Sequence, residues 1–392
     1  MKILVVTDQA IGPSHGTGTL LMRYFGDEQS VQVFNVCSML TADSGVFPTA
    51  VLPDRSGGIR RALGKLRRLE FSEIPGIFSN HSYESAVRKT LDFDPDLLWV
   101  IVCSRGGLRV AADVVQRFPG RSVYCSFWDL VFLGQLDQPR AKQNLEYLCQ
   151  RALRIDAISD PLAREITRRT GRAVDVENFF CADLPERATI DRLVSAGDCR
   201  LVIVGNIWIK DAYRAMLQVI EKARSMSPQV GEIVWYCHAS SLARLGISER
   251  RMPLGLVPGG HLAQGLTRKL LDFDLCIVPI NGSRSRAEGY CRYSIPSRVS
   301  ELFAAGVPIF SIGDSGSAFA EYLEQTGAGV HASAEPLNRA ASKLVELIES
   351  PELRRAMGLA GRSYAEAHFE SVRFRAKLMV RLESIWRSNS RG

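Results

Sequence analysis

Cysteine is present, but not in a form that builds anything. The 392-residue chain has nine cysteines, an odd number, and no two of them form a Cys-x-x-Cys pair. That argues against a disulfide frame and against a zinc ribbon; several lie in predicted strands and read as reduced core thiols of a cytosolic protein. Histidine is scarce, at six residues, and nowhere do His, Cys and carboxylates recur at metal-ligand spacing. A Gly-x-Ser-x-Gly elbow and a Walker lysine loop are both missing, so nothing points to a serine hydrolase of that type or a P-loop NTPase. No apolar run approaches the roughly 20 residues that span a bilayer. The apolar start, Met1 to Val6, is too short for a secretory signal and runs into Asp8. The charge excess is small, 49 basic against 42 acidic residues for a net +7, and no nucleic-acid module is visible.

What is there is an ordinary globular balance, 46% hydrophobic and 23% charged. The length is that of two or three domains. Nearly continuous apolar runs predict strands at Ile3–Thr7, Val31–Val36, Leu97–Val102, Ser122–Phe127 and Arg154–Ile158. The second half gives Arg200–Val204, Ile233–Cys237, Leu275–Pro279, Pro308–Ile312 and Gly329–His331. Such runs suit strands covered on both faces, and helices such as Ala212–Ser225 and Leu337–Glu349 supply the crossovers of a parallel sheet. The halves echo each other: Asp92-Phe93-Asp94-Pro95-Asp96 leads into one strand and Asp272-Phe273-Asp274 into another. These acids precede strands, so they read as loop acids and not as metal ligands. The expected fold is α/β, with two doubly wound, Rossmann-like domains facing a cleft. The first domain is 1–182, the second 183–365. Residues 366–392 form a C-terminal helix returning toward the first domain, part of an amphipathic stretch at about 363–388 with Phe374, Leu378, Leu382 and Trp386. Doubly wound sheets bind ligands beyond the carboxyl ends of their strands.

The most informative stretch is Tyr293-Ser294-Ile295-Pro296-Ser297-Arg298-Val299-Ser300-Glu301-Leu302-Phe303-Ala304-Ala305-Gly306-Val307-Pro308-Ile309. Ser294 and Pro296 predict a helix start, and Gly306 with Pro308 a stop. A helix tip facing a cleft suits a phosphate. Arg298 adds a charged fork to it, and Glu301, a turn below, is placed to accept both hydroxyls of a ribose. Each residue also has a plainer reading, a surface ion pair for Arg298 and a dipole partner for Glu301.

At this point the chain resembles the GT-B-fold glycosyltransferases of the large group 1 class, family four and its relatives. Their second domain carries a Ser/Pro-x-Ser-Lys-x-x-Glu-x-x-Ala-x-Gly-x-Pro-Val block. Here it reads Ile295 to Ile309, continued by Gly313-Asp314-Ser315-Gly316 and Gly327-Ala328-Gly329-Val330. The resemblance covers 199–331 best and the first domain loosely. It implies a nucleotide-diphosphate sugar as co-substrate, Arg298 with Ser297 at its pyrophosphate, Glu301 on the ribose, and retention of anomeric configuration. The family's Gly-Arg turn with a following Lys-Gly appears as Gly205-Asn206-Ile207-Trp208-Ile209-Lys210-Asp211. Asn206 replaces the arginine there, and Lys210 is either a phosphate ligand or a solvent lysine at a helix start. Many members carry a second Glu eight positions before the first; here that position is Tyr293, in a loop with Arg284, Arg286, Glu288 and Arg292.

In the first domain, Gly12-Pro13-Ser14-His15-Gly16-Thr17-Gly18 follows the first strand. It resembles the family's glycine loop, making Gly16, Thr17 and Gly18 donor candidates and His15 an acceptor contact, although a loop histidine is also simply solvated. Phe127-Trp128-Asp129-Leu130 ends another strand. Asp129 is read with Glu301 as catalytic, orienting the acceptor hydroxyl or accepting its proton, or else as the cap of a helix over 130–151. Trp128 stacks on the acceptor sugar or packs. The basic stretch Arg55, Arg60, Arg61, Lys65, Arg67 and Arg68, with Ile59, Leu63 and Leu66 on one side, is a solvated helix face or, over 59–68, a peripheral contact with anionic lipid.

The expected function is therefore metal-independent transfer of a sugar from a UDP- or GDP-sugar to a saccharide or lipid-linked acceptor, in polysaccharide, lipopolysaccharide or glycolipid synthesis. No cofactor and no nucleic-acid partner are expected, and the location is the cytoplasm or the inner face of the membrane. The rivals are a nucleotide-sugar epimerase, for which no acid/base pair is evident, and a non-catalytic scaffold, which Asn206, Trp128 and Tyr293 favour.

Overall fold

The computed structural model describes residues 1–12, 16–25, 30–39, 47–52, 80–129, 136–186, 199–206, 209–237, 239–248, 252–260, 265–280 and 288–389. Two compact units result. The first comprises Met1–Ile158, Leu162–Glu177 and Leu378–Gly392, and the second Ser159–Pro161 and Asn178–Lys377.

The first unit is built on a seven-stranded sheet: β1 Lys2–Gln9, β2 Gln32–Met39, β3 Thr49–Val51, β4 Leu97–Val102, β5 Ser122–Phe127, β6 Arg154–Ala157 and β7 Asp175–Val176. Its order is β3-β2-β1-β4-β5-β6-β7, and every pairing is parallel. The second unit has β8 Cys199–Val204, β9 Val230–Tyr236, β10 Val257–Gly260, β11 Leu275–Ile280, β12 Ile309–Gly313 and β13 Gly329–Ser333. Its order is β10-β9-β8-β11-β12-β13, again all parallel. β4 and β5 are buried along their whole length, which is why their sequences show no alternation. The chain reverses its direction of travel across the sheet between β1 and β4, and between β8 and β11. A doubly wound sheet opens its ligand crevice at such a switch point.

The three strands that the apolar pattern does not announce are β3, β7 and β10. All are sheet edges of two to four residues. β7 is exposed, and β10 carries Pro258 and two glycines, which an edge tolerates.

The acids expected as loop residues have a shared structural task. The Asp96 carboxylate accepts the Lys2 N–H at 2.7 Å, and the Asp96 N–H donates to the Lys2 carbonyl at 2.9 Å. In the second unit Asp274 accepts the Arg200 N–H at 2.8 Å and donates to the Arg200 carbonyl at 2.9 Å. Each sheet thus ties its two central strands together at the amino end with the same reciprocal pair.

The C-terminal stretch differs from the single helix expected over 363–388. It forms two helices, Pro351–His368 and Ser371–Asn389. The break has a cause outside the local sequence. Phe369 turns its carbonyl to the Ala182 N–H at 2.8 Å, and the Glu370 carboxylate caps the next helix through the N–H groups of Val372 and Arg373. Beyond Lys377 this last helix belongs to the first unit. There Arg381 forms an ion pair with Glu177 and lies 3.5 Å from the Tyr124 hydroxyl and 4.0 Å from Asp156 Oδ2. Tyr124 donates its hydroxyl to Asp156, which is wholly buried.

Burial pushes the Asp156 carboxyl from its ordinary 3.8 up to about 7; the Tyr124 and Ser126 hydroxyls and Arg381 oppose the rise, and Glu177 adds to it. A folded-state value above the unfolded one means that folding takes up a proton. The stabilisation is complete below about pH 4 and is lost as pH rises through 7. Wild-type unfolding free energy, followed by urea titration, is expected to fall between pH 4 and pH 8 by up to about 4 kcal/mol from this group. Asp156→Asn should flatten that dependence. Equal slopes for the two proteins would refute the assignment.

Candidate functional site

The second unit's switch point lies where β8 and β11 end. β8 runs into Gly205, whose φ of +88° is open only to glycine without strain. Its backbone is fastened on both sides: the N–H donates to the Tyr236 carbonyl at 2.7 Å, and the carbonyl accepts the Trp235 indole N–H at 3.1 Å. The Arg298 guanidinium lies directly on this glycine. A Cβ at Gly205 would stand 2.6 Å from Arg298 Cζ and 2.7 Å from Nη1. Burial pushes the Cys276 thiol of β11 up to about 12, and the charge of Arg298 pulls against that rise.

Arg298 is the N-cap of a short helix, Val299–Ala304, which begins three residues after the start expected at Pro296. The reason is a turn: the Val299 N–H bonds to the Pro296 carbonyl at 3.0 Å, so the proline opens the turn that precedes the helix. Nor does Ser294 act as the cap. It is buried, and its N–H closes the preceding helix, Glu288–Tyr293, on the Tyr290 carbonyl at 3.0 Å.

Glu301 sits one turn on and is 7% exposed. Its Oε2 accepts the Ser300 hydroxyl at 2.7 Å. The far end of the short helix is held by Arg362, wholly within the core, whose Nη1 donates to the Ala304 carbonyl at 2.6 Å. Ser297 and Asn206 are half-buried, and the Ser297 carbonyl faces the Ser300 hydroxyl at 2.9 Å. Lys210 is exposed and opens the helix Lys210–Met226. That helix has Ile209 as its N-cap, which makes no side-chain capping bond; the first-turn N–H groups of a helix have no partner within it.

The carboxyl edge of the first unit is built differently. Here a residue that sequence reading passed over, Asp8, takes the central place. Its carboxylate accepts the Cys103 N–H at 3.1 Å and the Ser104 hydroxyl, with further backbone bonds from Ser104 and Gly107. These groups form the start of the helix Arg105–Arg117, so the seat that an external anion would take is filled from within. Gly107 is required for this: a Cβ there would meet Asp8 Oδ1 at 2.1 Å. Burial pushes the Asp8 carboxyl up, against the lowering effect of these bonds. Burial raises the Cys103 thiol as well, the charges of Asp8 and Asp129 raise it further, and the Thr17 hydroxyl bonds to it. Thr17 and Asp8 therefore both bond to Cys103, just beyond the end of β4. Residues 130–135, where the helix that Asp129 was expected to cap would begin, lie outside the described residues; the helix Pro139–Arg151 has Gln138 at its N-cap.

Trp128 departs from its expected role as an acceptor platform. It is 4% exposed and packs edge-on to Tyr24 and Trp99, with ring centroids 6.5 and 6.4 Å apart. Gly16 and Gly18 open the helix Gly16–Phe25. Arg292 lies over the Tyr293 ring at 5.5 Å. His15, Arg284, Arg286 and the basic stretch 59–68 lie outside the described residues. Among the described residues no group of three or more His, Cys, Asp or Glu is gathered for a metal, and no helix is long and apolar enough to cross a membrane.

No family model matches the chain, and no curated protein matches it in sequence. Solved structures do match. HepE of Anabaena, solved with UDP and glucose, superposes with a TM-score of 0.64 at 16% identity, over 98% of this chain and 100% of that one. Sucrose-phosphate synthase of Thermosynechococcus elongatus gives 0.64 at 11%, over 99% and 100%. The α,α-trehalose 6-phosphate synthase of Burkholderia multivorans gives 0.65 at 11%, over 99% of each chain. At these identities the likeness establishes architecture: the chain has two Rossmann-like, parallel-sheet domains of the GT-B type.

Proposed function

We propose that the chain is a glycosyltransferase that moves a sugar from a nucleoside diphosphate to an acceptor hydroxyl. The observation that carries this reading is Arg298 laid on Gly205 at the switch point of the second unit, with Glu301 buried one turn away. When the glycosidic bond to the donor breaks, the departing diphosphate gains negative charge. A guanidinium fork held in place before the reaction stabilises that charge without reorganising, which is where electrostatic catalysis gains most. Lys210 and the first-turn N–H groups of its helix add to the field from the β8 side, and Ser297 and Asn206 line the same edge. Glu301 takes the ribose diol. Because this chain's own cations meet the diphosphate, the reading needs no divalent ion.

The first unit takes the acceptor in this reading. Its best anion seat is filled by Asp8, so its carboxyl edge offers carboxylates to hydroxyl groups instead of donors to a phosphate. Asp129 is the group proposed to orient or deprotonate the acceptor hydroxyl. The UDP and glucose bound to HepE of Anabaena support a nucleotide sugar as the donor, and UDP-glucose is bound in another structure of that protein. A saccharide or lipid-linked acceptor at a membrane surface rests on the basic stretch 59–68 and on the resemblance noted above. One observation favours a non-catalytic scaffold instead: Asn206 stands where the resembling enzymes carry an arginine.

A panel of UDP- and GDP-sugars, assayed for nucleotide release with saccharide acceptors, separates these readings. Turnover is expected with one donor and is expected to persist in chelator. Arg298→Ala should lower kcat/KM about 10²- to 10³-fold, and Glu301→Ala should raise the donor KM. Nucleotide binding without turnover across the panel would favour the scaffold, and loss of activity in chelator would refute the metal-free mechanism.

Gly205→Ala tests the joint itself. The added methyl must displace the guanidinium, and its backbone must hold φ at +88°. We expect a stability loss of about 1–3 kcal/mol in urea titration and a fall in activity close to that of Arg298→Ala. Full activity in this variant would show that the contact is incidental.

A further inference from the structure

Ser300 is wholly buried, and its hydroxyl faces two acceptors at once: Glu301 Oε2 at 2.7 Å and the Ser297 carbonyl at 2.9 Å. A serine in a helix commonly returns its proton to the carbonyl three or four residues back. Here the same hydroxyl stands closer to a carboxylate, and a hydrogen bond to a charged acceptor is the stronger of the two. It has one proton and cannot fully satisfy both.

From this geometry we infer that Ser300 is a positioning residue: it holds the Glu301 carboxylate in the rotamer that receives a ribose diol, and so makes the site selective for ribonucleotides over 2′-deoxyribonucleotides. The inference rests on the nucleotide reading of the site given above. A glutamate side chain has three rotatable bonds, and fixing them on ligand binding costs affinity. Ser300 removes part of that cost beforehand by anchoring Oε2 from the protein side. Its alternative partner, the Ser297 carbonyl, keeps the hydroxyl satisfied whenever the carboxylate shifts to meet a ligand. No buried donor is then stranded during binding. The position suits the task, since Ser300 adjoins Glu301 in sequence and lies two residues from Arg298. One short helix thus carries the diphosphate's cation, the diol's acceptor and the group that orients that acceptor.

The test is equilibrium binding of UDP, GDP and their 2′-deoxy counterparts to the full-length wild-type, Ser300→Ala and Ser300→Thr chains. Wild type should prefer the ribonucleotide. Ser300→Ala should weaken ribonucleotide binding about five- to tenfold, the scale of one lost hydrogen bond, and weaken the 2′-deoxynucleotide less, because that ligand offers Glu301 only its 3′-hydroxyl. A cooperative urea transition shows the variant to be folded. Ser300→Thr keeps the hydroxyl and should lie within about twofold of wild type. Equal weakening of both sugars, or of neither, with ribonucleotide binding by wild type intact, would overturn the positioning role alone. Failure of wild type to bind any of the nucleotides would overturn the nucleotide reading and this role with it.

Discussion

A missing side chain lets the charge of Arg298 stand where it does. Gly205 has no Cβ and holds a backbone conformation closed to other residues without strain. The guanidinium therefore rests against main chain at this point. Both backbone groups of Gly205 are bonded, to Tyr236 and Trp235, so the surface beneath the arginine belongs to the rigid ends of β8 and β9. A catalytic cation is useful only when its position is set before charge develops. Here sheet geometry does the setting, and the short helix beginning at Val299 only delivers the residue.

The two units share a plan and differ where ligands meet it. At their amino ends both sheets carry the same reciprocal aspartate–backbone pair, Asp96 with Lys2 and Asp274 with Arg200. At their carboxyl ends they diverge. The first unit fills the start of the helix Arg105–Arg117 with its own Asp8, while in the second Ile209, the N-cap of Lys210–Met226, makes no side-chain capping bond and Arg298 lies on Gly205. An internal carboxylate and an incoming phosphate compete for the same N–H groups. The presence of Asp8 thus marks the start of Arg105–Arg117 as the weaker anion seat, which in the proposed function leaves the nucleotide's charge to the second unit.

Much of this was legible in the sequence. β4 and β5 could be placed to the residue because both are buried throughout and their apolar runs have clear ends. The Arg298 and Glu301 block was visible because its partners lie within a single turn. What stayed hidden depended on distant chain. Asp8 reads as the polar end of an apolar run, and its hydrogen-bonding partners Cys103 and Ser104 are 95 and 96 positions away. Trp128 looked like a ligand platform at a strand end, whereas Tyr24 and Trp99, far off in sequence, enclose it. The break at Phe369 and Glu370 falls in phase with the helical pattern on either side, and only the pairing with Ala182 reveals it.

Opposite ends of each sheet thus carry opposite kinds of work. Polar groups at the amino ends are spent on backbone partners and fix strand register. At the carboxyl ends the second unit sets a cationic and an acidic side chain against defined partners: glycine under arginine, serine beside glutamate. Rigid support matters more than the number of polar groups, because a loosely held charge must reorganise as the transition state forms and loses what it would have contributed. The substitution of Asn206 for an arginine is read in that light. The second unit does not gather cations along its first loop. It places one on Gly205 at the switch point, and in the proposed function Lys210 at the helix start supplies the charge that the loop lacks.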